Sequence, residues 1–296
     1  MFKAFVCAAI VAALLIPVPS QAQTPSAAAG ELLAADRAFS ASAKDQYLPE
    51  AFLAMFRPDV TMTSPKGFVT GTEQVKAALL GNPANPTSRV EWTPLRAGIS
   101  ADGTQGFTFG LMSIRLADGT ALPAKYMAYW IKGAEGWRVA AYKRGVAGPG
   151  EAPRTVMAPS LPAAMVAAST DSATIDAHVT SLQAAEQAFS DEAQKIGIGP
   201  AFVKWGREDA VNMGAPTQPG FTVGAAAIGG AGDSGAPAQA VPSLVWNADR
   251  VIVASSGDLG VTFGHIRISD GSRPPRAFFT IWRRDSPTSP WRYIAE

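Results

Sequence analysis

Between Gly230 and Gly235 the chain reads Gly-Ala-Gly-Asp-Ser-Gly. Two chemistries are written that way. One is the G-x-G-x-x-G turn that cradles a dinucleotide; the other is the Gly-Asp-Ser-Gly setting of a serine nucleophile. Each demands surroundings. The dinucleotide turn must lead from a strand into a helix, so that free helix N–H groups meet the pyrophosphate. Here Pro237 and Pro242 follow, and no such helix is expected. A serine nucleophile needs a histidine base within hydrogen-bond reach. The chain has 2 histidines, His178 and His265, and His178 sits beside Val179 on a predicted helix. The segment is therefore read as a flexible Gly/Ala loop, with neither cofactor nor nucleophile.

Metal chemistry is disfavoured on the same grounds. There is 1 cysteine, Cys7, and no His-x-x-x-His or paired acidic motif accompanies the two histidines. Metal sites need such clusters. No catalytic residue, metal ligand or cofactor is assigned. The residues expected to line a ligand site are Tyr126, Trp130, His265, Arg267, Phe278 and Trp282. Phe263, His265 and Arg267 alternate along one predicted strand and so share a face. Tyr126 and Trp130 share a face that excludes Tyr129. The competing assignment is plain: aromatics on half-buried strands usually form core.

An internal repeat supplies the elements that must position these residues. Ala34-Ala-Asp-Arg-Ala-Phe-Ser40 returns as Ala184-Ala-Glu-Gln-Ala-Phe-Ser190, an offset of 150. Arg57 and Asp59 match Arg207 and Asp209 at the same offset. Trp92, Arg96 and Thr108-Phe-Gly110 match Trp246, Arg250 and Thr262-Phe-Gly264 at 154, and Trp130 matches Trp282 at 152. Leu111 stands where the second copy has His265. A period of this length is a whole domain, so two domains are expected, at 26–144 and 174–296. Residues 145–173, rich in Gly, Pro and Ala, form an extended, mobile linker between them.

Each copy opens with an amphipathic helix and a shorter second one. Four long strands then follow in the first copy, with Asp102-Gly103 and Asp118-Gly119 as turns. A helix is predicted near Thr72–Leu80, but Gly224 to Pro242 in the second copy reads as loop. Asp59 and Asp209, at strand starts, read as turn caps. Helices followed by an antiparallel meander make an α+β fold, each domain a cone whose curved sheet closes over its helices.

Lys3, the apolar run Ala4 to Ile16 and Ser20-Gln21-Ala22 read as a signal peptide, 1–22, cleaved after Ala22. The expected location is periplasmic or secreted, with no membrane attachment after cleavage. The 25 Lys+Arg balance 24 Asp+Glu, without a basic patch, which argues against nucleic acid.

The repeated Ala-Ala-Asp-Arg-Ala-Phe, Phe56-Arg-Pro-Asp-Val60, Gly67 to Gly71 and the late tryptophans together resemble the nuclear transport factor 2-like (SnoaL-like) superfamily. Ala254 to Gly264 and Phe279-Thr-Ile-Trp-Arg-Arg284 resemble its branch described as a domain of unknown function. The resemblance implies a hollow cone. It spans isomerases, cyclases, hydrolases and non-catalytic binding domains, so fold does not decide function. The leading expectation is a non-catalytic tandem protein that binds a small apolar or amphipathic molecule or acts as a scaffold. The alternative is an isomerase, cyclase or hydrolase with an acid–base pair in one pocket. The two domains are also expected to be able to pair through their sheets.

Overall fold

The computed structural model describes residues 23–65, 67–232 and 244–296. The expected signal peptide and residues 233–235 of the glycine motif lie outside the described residues. In the first domain α1 (Pro25–Ser42) starts where Thr24 Oγ1 accepts the Ala27 N–H and Pro25 fills the first turn. Then come α2 (Leu48–Met55), β1 (Phe56–Ser64), β2 (Gly67–Thr70) and α3 (Thr72–Leu80). Strands β3 (Arg89–Ile99), β4 (Gln105–Arg115), β5 (Ala121–Gly133) and β6 (Gly136–Val146) complete it. The second domain repeats the plan. Its elements are α4 (Ser172–Ile196), α5 (Ile198–Trp205), β7 (Gly206–Asn212), β8 (Thr222–Val223), α6 (Ala225–Gly232), β9 (Leu244–Val253), β10 (Leu259–Ile268), β11 (Arg276–Arg283) and β12 (Arg292–Ala295).

Each domain holds one six-stranded sheet, ordered β2-β1-β6-β5-β4-β3 and β8-β7-β12-β11-β10-β9. Among the described strands β1–β6 and β7–β12 pair in parallel and the other pairs are antiparallel. The architecture is two tandem α+β cones. One expectation is corrected: the first part of the predicted loop after Gly224 is helix α6. Gly224, at φ +93°, lets the chain turn into it, alanines continue it, and Ile228 anchors it. At Gly229 a Cβ would come within 2.5 Å of the Gly199 carbonyl, so the bare backbone is what lets α6 lie against α5.

Strand alternation gives each sheet two apolar faces. One covers the domain's own helices. The other meets the opposite domain: Leu95, Phe107, Phe109 and Met127 form one buried cluster with Val261, Phe263 and Phe279. Sheets buried on both faces read as continuous apolar runs, as Phe107–Met112 does. Around this apolar centre the copies exchange polar groups. Arg96, itself buried, donates to the Asp209 carboxylate, the Asp209 carbonyl and the Ala158 carbonyl. Arg250 donates to Thr61 Oγ1 at 2.8 Å. The turns also cross over: Asp102 accepts from Ser255 and Ser256, and Asp258 accepts from the Ala101 N–H. Asp59 and Asp209 are thus ion-pair partners rather than turn caps. Both lie inside strands, Asp59 bound to Arg57 at 2.9 Å and Asp209 to Arg96.

Between the domains lies the linker. It is extended but bonded along its length. Met157 and Ser160 donate to Leu95 and Ala97 carbonyls, Ile99 donates back to Ser160, and Ser169 donates to Ser255 Oγ. Met157 to Ser160 thereby runs along the open edge of β3, whose unpaired groups would otherwise be left without partners. Among the described residues no helix is long and apolar enough to cross a membrane.

Candidate functional site

The core of each cone holds a carboxylate on its opening helix. On α1 the buried stripe is Leu32, Asp36, Ser40, one residue every fourth. On α4 it is Leu182, Glu186, Ser190. These are the same positions of the repeat. Asp36 Oδ1 accepts from the Trp92 indole at 2.6 Å and Oδ2 from the Tyr126 hydroxyl at 2.7 Å. Glu186 Oε1 accepts from Trp246 at 2.7 Å; Oε2 accepts from Thr262 at 2.6 Å and Trp282 at 3.0 Å. Ser40 and Ser190 accept the backbone N–H of the same two tryptophans. Each acid thus ties helix to sheet through buried donors, which such groups require. Burial pushes the Asp36 carboxyl up, opposed by the bonds from Trp92 and Tyr126. Burial likewise pushes Glu186 up to about 7, opposed by Thr262, Trp246 and Trp282.

The two cones then part company. In the first, Tyr142 fills the interior, its ring centroid 5.3 Å from Phe52 and 6.3 Å from Tyr126, all three fully buried. By the repeat offset of 154 its counterpart is Glu296. Phe52, Tyr126 and Met112 correspond to Phe202, Phe278 and Ile266, so the surrounding walls remain while the filling ring is gone. A cavity of about 430 Å³ results, walled by Phe189, Phe202, Trp246, Ile266 and Phe278. Both Glu186 and Glu296 line it, and no lysine, arginine or histidine does among the described residues. Glu296 Oε2 is enclosed and meets no donor. Burial pushes the Glu296 carboxyl up to about 7, opposed by Lys143 and reinforced by the Glu186 charge.

The first domain supports one wall of this site from behind. Asn212 at the end of β7, Gly214, Ala215 and Gln218 on the loop that follows, and Thr222 at the start of β8 form one wall. The buried Lys125, on β5 of the first domain, donates to the carbonyls of Ala215, Gln218 and Gly220 at 3.4, 2.9 and 3.0 Å. Three carbonyls replace the water a buried ammonium would lose, although burial still lowers its pKa.

The residues expected to contact ligand are scattered. Phe278 lines the cavity, and Trp282 lies just behind it, bonded to Glu186. Tyr126 and Trp130 belong to the filled core of the first cone. His265 and Arg267 lie on the opposite face of β10 from Ile266. There His265 Nδ1 meets Asp249 at 2.6 Å and its ring sits 5.3 Å from Phe68 of the other domain, while Arg267 donates to Asn247. Asp36, Glu186 and Glu296 escaped the sequence analysis. The signal for the first two was present: an acid in the centre of an apolar stripe, at the same place in both copies. Among the described residues no cluster of metal-ligating side chains occurs.

Both halves are α+β cones. Similar solved structures include a ketosteroid isomerase-like protein from Erwinia carotovora atroseptica, 18% identical, covering 42% of this chain and 95% of that one with TM-score 0.30. Another is a nuclear transport factor 2-like protein of unknown function from Shewanella oneidensis, at 11% identity, 40% and 98% coverage and TM-score 0.31. A protein of unknown function with a cystatin-like fold from Nostoc punctiforme is 19% identical, with 40% and 88% coverage and TM-score 0.30. No family model and no curated protein matches the chain. At these identities the likeness concerns the fold alone.

Proposed function

We propose that this is an exported small-molecule-binding protein, with the second cone as receptor and the first as a filled partner that braces it. The observation that carries this is the cavity of about 430 Å³ that opens where Glu296 stands in place of Tyr142. Its size and mainly apolar wall, with a few polar groups, are those of small-ligand sites. Ile266→Trp should fill it. Calorimetric titration with the apolar dye N-phenyl-naphthylamine is expected to show one site per chain, abolished by I266W and untouched by a change at Arg138 on the other domain. Binding that survives I266W, or no binding at all, refutes the reading. Export rests on Lys3, the apolar run and Ala22; a mature chain starting at Gln23 is the expected intact-mass result.

A second reading has one specific observation in its favour: two carboxyls pushed up to about 7 face one cavity. That is the range in which a carboxyl can exchange protons with a substrate near neutral pH. Glu186 is bonded as Asp36 is in a filled cone, so it has a structural task, and Glu296 would be the exchanging group. Deuterium entering the α-position of a panel of small ketones, and ceasing in Glu296→Gln, would establish this reading; no exchange would leave binding alone.

A further inference from the structure

We infer that the ligand of the second cone is an organic cation: a molecule with an apolar body and a protonated amine placed against Glu296. This rests on the binding reading above and adds the ligand's charge. Among the described residues the cavity wall has two carboxyls and no basic side chain. The two carboxyls are not alike. Glu186 has donors on both oxygens, all from buried side chains, and asks nothing of a ligand. Glu296 lines the cavity, and among the described residues no donor meets its carboxyl, whose Oε2 is the enclosed oxygen. An unpaired buried carboxylate is costly, and a charge-assisted hydrogen bond from an ammonium removes that cost.

The walls suit the same guest. Phe189, Phe202, Trp246 and Phe278 put four aromatic rings on the wall, and the π-face of such a ring attracts a cation once water is displaced. An anionic ligand would meet two carboxyls and, among the described residues of the wall, no basic side chain. A neutral ligand would leave Glu296 to hold its own proton. Three charged groups act on Glu296 and its surroundings. Glu186 disfavours its ionisation. Lys143, on β6 of the first domain, favours it. Arg276 on β11 acts on Lys143 in turn. Lys143 acts at a distance, since it makes no hydrogen bond to the enclosed oxygen.

A matched series decides the matter: naphthylethylamine, naphthylethanol and naphthylacetate titrated calorimetrically into the full mature chain. The amine should bind at least about tenfold more tightly than the alcohol near pH 8, and the acetate more weakly than either. The amine's affinity should rise several-fold between about pH 6 and pH 8, as the Glu296 carboxyl loses the proton that the ammonium replaces. The alcohol's should not rise. Glu296→Gln should bind amine and alcohol equally, and its retained alcohol binding shows that it is folded. If E296Q does not fold, the pH series on the natural chain decides alone. Alcohol or acetate binding as tightly as amine, or amine affinity that falls with pH, overturns the cation assignment while leaving the cavity intact as a receptor. If none of the three binds, the receptor reading itself fails, and the cation assignment with it.

Discussion

If the cavity exists because an acid replaced a filling ring, restoring the ring should close it. Glu296→Tyr is the test. In the first cone the tyrosine lies against Phe52 and Tyr126, and their counterparts Phe202 and Phe278 are already in place. Two contributions add. The carboxyl, raised from 4.5 to about 7, costs about 3 kcal/mol whenever it is ionised in the folded chain, at roughly 1.4 kcal/mol per tenfold. Burying an aromatic ring in its place contributes about 1–3 kcal/mol more. The sign of the pH dependence follows from the direction of the shift. Below about pH 4.5 the group is protonated both folded and unfolded, so it costs nothing. Between 4.5 and about 7 the unfolded chain loses the proton first, so natural stability falls as pH rises, and the loss is complete above 7. E296Y lacks this loss. Urea unfolding should therefore show E296Y ahead by about 1–3 kcal/mol near pH 4.5 and by about 4–6 near pH 8, with N-phenyl-naphthylamine binding gone. A gain that does not grow with pH would refute the assigned burial of Glu296. An unchanged or lower stability at both pH values would refute the equivalence of the two cones.

Asp36→Ala should cost about 2–5 kcal/mol, because it leaves the Trp92 and Tyr126 donors buried without an acceptor; loss of near-ultraviolet circular dichroism and a lower urea midpoint would register it. Arg96→Ala should cost about 3 kcal/mol or more, since it removes three bonds across or beside the domain boundary, whereas Arg250→Ala, with one bond to Thr61, should cost about 1. Equal effects in paired thermal melts would contradict that ranking. Lys125→Met should raise hydrogen exchange across residues 214–221 and weaken dye binding in the other domain, while Lys132→Met, on the surface of the same strand, should do neither.

Much of this was legible before any coordinates. The repeat, the order of helices and strands and the α+β class follow from apolar spacing and from tryptophans recurring at nearly constant offsets. The pairing of Arg96 with Asp209 was half visible: both residues recur in both copies, with opposite charge. What could not be read is that the partner sits in the other copy, because strand alternation says which residues share a face and not what covers it. Asp36 and Glu186 were hidden by an ordinary presumption, that an acid on an amphipathic helix faces water. Tracking the stripe through Leu32 and Ser40, or Leu182 and Ser190, would have placed them inside. Glu296 had no local signal at all. It becomes meaningful only when set beside Tyr142. Helix α6 was masked by its glycines, which count against a helix in isolation but permit its close approach to α5.

The brace from Lys125 runs in one direction. Its counterpart in the repeat is Ala277, which has nothing to donate. A homodimer could not be built this way, because one gene would write the lysine, and the choice of ring or acid, into both subunits. Joining the copies in one chain removes that constraint, and the tether keeps the halves at an effective concentration that dilution does not lower. One half is then free to lose packing at its centre while the other keeps a full core and supplies the missing rigidity. It also follows that the hollow half is not a separable module: cut out at residue 174, it would keep its hollow but lose the cation that holds the wall beside it.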